Sequence, residues 1–182
     1  GKDREGVVAA FTNLIFQKQG NIEKINQNVM KELFGMHLEA SFSKEIDVKK
    51  FDKELQDLGS QLGMEVSVYH EINSEKNIAI FVTKEPHCLD ALISAKSQLK
   101  GTINVIVGTE KTLESIAKKA GIPFVLVDEK DQQKAEDHLI DVTKKYDVDL
   151  VVLARYMRIM TPNFVWRYPY RIINIQIGRA HV

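Results

Sequence analysis

The sequence predicts an α/β protein in two parts. A ferredoxin-like βαββαβ unit with its first strand missing is followed by a doubly wound parallel sheet, incomplete at its C-terminal side. Two patterns carry this reading. In the first part, strand-like segments alternate apolar and polar residues, as half-exposed antiparallel strands do. In the second, continuously apolar runs alternate with helical periodicity, the signature of parallel strands covered on both faces. A third observation marks the place for chemistry. The segment Asp149 to Ile175 runs from an apolar strand through an unusually apolar turn to a second strand ending on a lone amide, Asn174.

The elements follow in order. Val7, Val8, Phe11, Leu14, Ile15 and Phe16 fall at helical spacing, with Gly20 placed as the residue that ends the helix. Asn21 to Met30 and Leu33 to Phe42 read as a hairpin turning at Lys31-Glu32. Asp47 caps a second helix with Phe51, Leu55 and Leu58 on one face, and Gly63 ends it. Met64 to Ile72 reads as a further alternating strand. The order helix, strand, strand, helix, strand becomes βαββαβ once a strand is supplied before Gly1. That strand belongs in the sheet interior. This, and an opening on Gly1-Lys2-Asp3 without methionine, gives the expectation of a fragment.

The first domain is assigned to residues 1–72, a polar linker to 73–77 and the second domain to 78–182. Its strands are read at Ile78 to Val82, Ile103 to Val107, Phe124 to Val127, Leu150 to Leu153 and Ile172 to Ile175. Its helices are read at Cys88 to Leu99, Thr112 to Ala120, Lys134 to Tyr146 and Pro162 to Tyr168. Right-handed crossovers join such strands into a parallel sheet.

Composition excludes several classes. The 25 basic and 25 acidic residues cancel, unlike the basic surface that nucleic-acid binding needs. No run approaches the ~20 apolar residues that span a bilayer, so no membrane partner is expected. The one cysteine, Cys88, reads as a small buried side chain in a reducing cytoplasm. The histidines His37, His70, His87, His138 and His181 show no metal-ligand spacing. The loop Val82 to His87 lacks the glycines of a dinucleotide site, so no dinucleotide cofactor is expected.

Ligands of doubly wound sheets bind beyond the carboxyl ends of the strands. That places the turn Arg155, Tyr156, Met157, Arg158, Ile159 and Met160 on one edge with Asn174. The turn is either a loop packed on its own domain or the apolar wall of a pocket for a flat heterocycle. Asn174 either caps a neighbouring loop or offers an N–H to a developing oxyanion.

The residues LARYMRIMTPNFVWRYPYRIINI (Leu153 to Ile175), DREGVVAAFTNLIFQKQGNI (Asp3 to Ile22) and His87-Cys88-Leu89 together resemble the formyltetrahydrofolate deformylases, within the folate-dependent formyltransferase superfamily. The resemblance covers residues 1–175. It implies an ACT domain first and a formyltransferase-type domain second. It further implies hydrolysis of 10-formyltetrahydrofolate to tetrahydrofolate and formate, with neither metal nor organic cofactor. The family's catalytic set is an asparagine, a histidine two residues on and a later aspartate. Asn174 matches the asparagine, Gln176 stands in the histidine's place, and no segment matches the aspartate's. Because glutamine cannot shuttle a proton near neutral pH, this polypeptide is expected to be nearly inactive. The break in pattern over Gln176 to Val182 is expected to reflect a sequencing, cloning or gene-model error. The resemblance also implies a small amino-acid effector near Asp3, Gly6, Asn21 and Ile22, and homo-oligomers. Two other functions stay open: formyl transfer to an amine such as glycinamide ribonucleotide, and an amino-acid-sensing ACT module without catalysis.

Overall fold

The structure, a computed structural model, describes residues 1–70 and 75–175. The chain divides into two compact units, Gly1–Glu71 and Ile72–Val182.

In the first unit, α1 (Val7–Gln17) leads into β1 (Gly20–Met30) and β2 (Leu33–Phe42), followed by α2 (Val48–Leu62). β1 and β2 pair antiparallel, with a bulge between Ile22 and Lys24. The helices bury Val7, Phe11, Ile15, Phe51 and Leu55 together with Phe34 of β2. Phe42 meets Phe51 edge-on with ring centroids 5.3 Å apart. α2 begins where the sequence places it: the Asp47 carboxylate accepts from the Lys50 N–H at 3.1 Å. It ends on Gly63 in the left-handed region, φ 66°.

Two expectations are corrected here. Gly20 does not end α1. Gln19 takes the left-handed conformation instead (φ 60°), and Gly20 opens β1. Residues 64–70 do not form a strand, although their burial alternates, with Met64, Val66 and Val68 turned toward the core. A strand exists only through a hydrogen-bonded ladder, and among the described residues no strand pairs with this segment. It lies against α2 at Gly59, where a Cβ would collide with the Val66 side chain and the Met64 carbonyl.

The second unit is a parallel sheet in the order β5-β4-β3-β6-β7. Its strands are β3 (Lys76–Val82), β4 (Gly101–Gly108), β5 (Phe124–Leu126), β6 (Leu150–Ala154) and β7 (Ile172–Ile175). Its helices are α3 (Pro86–Ser94), α4 (Glu114–Ala120), α5 (Gln132–Lys145) and α6 (Pro162–Val165). α3, α4 and α6 are shorter than expected. Single 3-10 turns at Lys96–Gln98 and Lys111–Leu113 take up part of the difference beside α3 and α4.

Both faces of the sheet are covered. Ala79, Phe81, Val105, Val107, Val151 and Leu153 meet α5 through Ala135, Leu139 and Ile140. Ile78, Ile80, Val82, Ile106 and Val152 meet Cys88 and Leu89 of α3 and Ala117 of α4. Neighbouring residues of one apolar run thus go to opposite faces, which is why β3 shows no polar alternation. At the amino edge, Asp149 accepts from the Asn77 N–H (2.9 Å) and donates its own N–H to the Asn77 carbonyl (2.8 Å), pinning the β3–β6 register.

The β1–β2 turn yields a prediction. Lys31 and Glu32 both have positive φ, 47° and 65°, the type I′ geometry that favours Asn-Gly. The double substitution Lys31→Asn and Glu32→Gly is expected to stabilise the hairpin by about 1 kcal/mol. Slower hydrogen exchange of the β1–β2 amides would show it; faster exchange would refute it.

Candidate functional site

The chain leaves β3 toward β4 and β5, then returns to β6 and β7 on the other side. The strand order therefore reverses between β3 and β6, and the crevice at their carboxyl ends is where ligands of such sheets bind. Thr83 follows β3 there, and the turn Arg155 to Met160 follows β6. One hydrogen bond ties the two across the crevice: the Met157 N–H donates to Thr83 Oγ1 at 3.1 Å.

The structure divides the six turn residues. Arg155 adopts the left-handed conformation (φ 57°) and donates its N–H to the Ile175 carbonyl at 3.1 Å. This costs a non-glycine residue on the order of 1–3 kcal/mol, and it turns the chain sharply off the strand. Tyr156 is then driven into the core, 6% exposed, with its ring 5.5 Å from Phe81. Met160 is half-buried against the same cluster. Met157 and Ile159 point the other way, 54% and 84% exposed. The reading of a loop packed on its own domain holds for Tyr156 and Met160, whereas Met157 and Ile159 stand exposed on the surface.

The turn is anchored from the α5 side. Arg158 Nη1 donates to the Glu129 carbonyl at 2.9 Å, and Gln132 Nε2 donates to the Ile159 carbonyl at 3.1 Å. Glu136 accepts from both the N–H and the hydroxyl of Thr161. The Glu129 carboxylate also pairs with His138 Nδ1 at 2.8 Å. Burial raises the Glu129 carboxyl, but its own backbone N–H, His138 and Arg158 outweigh burial and hold it below the usual carboxylate range.

Asn174 departs from expectation. Parallel strands covered on both faces bury their side chains, but β7 borders the sheet among the described residues and Asn174 is exposed. Its register partner is Leu153, so it projects on the face that also carries Phe81 and Tyr156. Among the described residues its carboxamide has no hydrogen-bond partner, and no loop claims it as a cap. Gln176 lies outside the described residues.

Asp3, Gly6, Asn21 and Ile22 are not gathered into one place. Gly6 sits at the start of α1 (φ 82°), and the Asp3 N–H donates to the Glu32 carbonyl at 2.8 Å. Asn21 and Ile22 follow the far end of α1, whose 11 residues span roughly 16 Å. Within one chain the two pairs stay a helix length apart. His87 is exposed, and Cys88 is buried as expected.

Thr83, Gln132 and Glu136 escaped the reading of the sequence. Glu136 left a trace there. It falls with Leu139, Ile140 and Thr143 on the buried stripe of α5, and a carboxylate on an apolar stripe calls for a partner.

Tyr156 generates a prediction. Its hydroxyl is buried without a partner among the described residues, and burial pushes its ionisation up from 10.0 to about 12. Removing a buried unpaired hydroxyl relieves a desolvation penalty, so Tyr156→Phe is expected to raise stability by about 1 kcal/mol at neutral pH. As pH rises past 10 the unfolded tyrosine ionises first, so the parent chain loses further stability until about 12 while the variant does not. Urea midpoints at pH 8 and pH ~10.5 test both statements; a destabilised variant with an unchanged pH gap refutes them.

Comparison with known proteins gives this geometry a family. The formyl transferase family profile matches residues 76–176, and an ACT domain profile matches residues 1–69. Formyltetrahydrofolate deformylase of Escherichia coli (strain K12) is 36% identical over 182 residues, covering 95% of this chain and 62% of that protein. The deformylase of Haemophilus influenzae is 32% identical, covering 95% and 63%. The chain thus spans about three-fifths of the length of the curated relatives it matches. The crystal structure of a formyltetrahydrofolate deformylase from Pseudomonas putida KT2440 aligns at TM-score 0.54 and 24% identity, over 95% of this chain and 64% of that one. That likeness speaks for the fold alone. A phosphoribosylglycinamide formyltransferase from Anaplasma phagocytophilum aligns at TM-score 0.50 and 30% identity, over 56% and 49%. With its C-terminal unit matched along almost its whole described length and an ACT domain before it, the chain belongs to the formyl transferase family.

Proposed function

We propose that the whole protein hydrolyses 10-formyltetrahydrofolate to tetrahydrofolate and formate. The observation that carries the reading is the β3–β6 crevice. There Met157 and Ile159 stand outward on an anchored turn, while the Asn174 carboxamide, without a partner among the described residues, projects from the neighbouring strand. An apolar surface suits the flat pterin, and an N–H donor suits the oxyanion that forms when water adds to the formyl carbon. The C–N bond then breaks, N10 takes up a proton, and formate leaves. Hydrolysis is favoured over formyl transfer because the deformylase relatives match 95% of the chain, ACT domain included, whereas the amine-acceptor enzyme aligns with 56%. The reading calls on neither a metal nor an organic cofactor, and it suits a cytoplasmic enzyme.

Proton transfer to N10 needs an acid–base group, and Gln176 in the histidine's position supplies none. The chain is therefore expected to bind a stable folate such as 5-formyltetrahydrofolate, yet to release formate at least ~100-fold more slowly than an enzyme with that group. Replacing Met157 and Ile159 together by glutamate is expected to weaken folate binding at least ~10-fold with the fold intact, since carboxylates there would be desolvated by the pterin. Calorimetry and a formate assay with water as the sole acceptor decide the matter. Folate affinity unmoved by the double substitution would sink the site assignment. Tetrahydrofolate appearing only when glycinamide ribonucleotide is added, with the formyl group on its amine and no formate released, would favour transfer.

The ACT domain supports a small amino-acid effector, and the separation of Gly6 from Asn21 in one chain supports a site completed by a second copy. Glycine or methionine is expected to give heat on titration in calorimetry and to leave folate binding measurable. A chain monomeric at all concentrations, with no heat, would end this proposal.

A further inference from the structure

We infer that Glu136 is a positioning residue for the candidate folate site, its buried carboxylate fixing the far end of the turn that carries Met157 and Ile159. The inference rests on the folate reading of that crevice. Glu136 is 3% exposed. Oε1 accepts the Thr161 N–H at 2.6 Å, and Oε2 accepts the Thr161 hydroxyl. Among the described residues no lysine, arginine or histidine forms a salt bridge with it. A carboxylate buried without a cation is a poor device for stability, because an apolar side chain of similar size would spare its desolvation. What it supplies is direction: two acceptor atoms in one plane, both on one residue.

That residue closes the turn. The turn is held at its start by Arg155 on Ile175 and by Met157 on Thr83, and in its middle by Arg158 and Gln132. Thr161 holds its end and starts α6, since its carbonyl accepts the N–H groups of Phe164 and Val165. Phe164 is fully buried against Phe81. Glu136 thus couples the exposed half of the turn to the rigid core. Without it the last anchor slackens, and Met157 and Ile159 lose the fixed spacing that a planar ligand needs.

The test uses the 182-residue chain and the variants Glu136→Ala, Glu136→Gln and Thr161→Val. Two quantities are read: hydrogen exchange of the Met157–Thr161 amides and the Kd for 5-formyltetrahydrofolate. Glu136→Ala is expected to speed exchange across the turn and weaken folate binding by about tenfold each, with β3 and β4 amides unchanged. Glu136→Gln keeps an acceptor for the Thr161 N–H and is expected to rescue most of both effects. Thr161→Val removes only the hydroxyl bond and is expected to fall between, and it stands in should Glu136→Ala fail to fold. Turn exchange equal to the parent's in Glu136→Ala or Thr161→Val overturns the inference, as does a loss in Glu136→Gln as large as in Glu136→Ala. A parent chain that binds no folate defeats the folate reading instead, and the exchange comparison still decides whether Glu136 fixes the turn.

Discussion

The pairing of β3 with β6 is the constraint on which the second unit depends. The two strands are distant in sequence, and their parallel ladder from Ile78–Leu150 to Val82–Ala154 forces the chain order to reverse. Everything used as a site follows from that reversal. It opens a crevice that the helices cannot close, it brings Thr83 within hydrogen-bonding reach of Met157, and it leaves β7 beside β6 with Asn174 level with Leu153. The ladder is pinned at its amino edge by Asn77 and Asp149 and filled on both faces by side chains with no exposed surface, Phe81 and Ile80 among them. Rigid strands below make a short turn above capable of precise presentation.

The turn itself divides labour by direction. Arg155 in the left-handed region breaks the strand geometry, so the next side chain, Tyr156, returns to the core instead of continuing outward. Tyr156, Phe81, Phe164 and Tyr168 then form a run of tilted ring contacts that binds the turn to α6. Only with that aromatic floor in place are Met157 and Ile159 left exposed. Single exposed apolar residues need no explanation, but two on an anchored turn at a strand-order reversal suit a ligand surface.

Legibility differed between the two units for a physical reason. Helix boundaries with local causes were partly readable: Asp47 caps α2 and Gly63 ends it, whereas α5, capped by Asp131, starts at Gln132, two residues before the expected Lys134. Gly20 misled because Gln19 bears the left-handed turn, a choice that depends on where β1 must begin. The segment at residues 64–70 has the alternation of a strand, and its side chains do alternate in burial. Alternation reports which side faces the core; it does not report whether a hydrogen-bonding neighbour lies alongside.

The sequence by itself determined the two-part α/β architecture and the family resemblance, and it nominated the strand ends as the place to look for a site. Each is written in local period, spacing or residue type. Only the tertiary structure decided that Asn174 is exposed, that Tyr156 and Met160 are core while Met157 and Ile159 are surface, and that Glu136 reaches Thr161 from another element. Those facts depend on strand order and on the backbone's turn at Arg155. Such long-range geometry leaves at most a faint mark along the chain, here a single carboxylate on an apolar stripe.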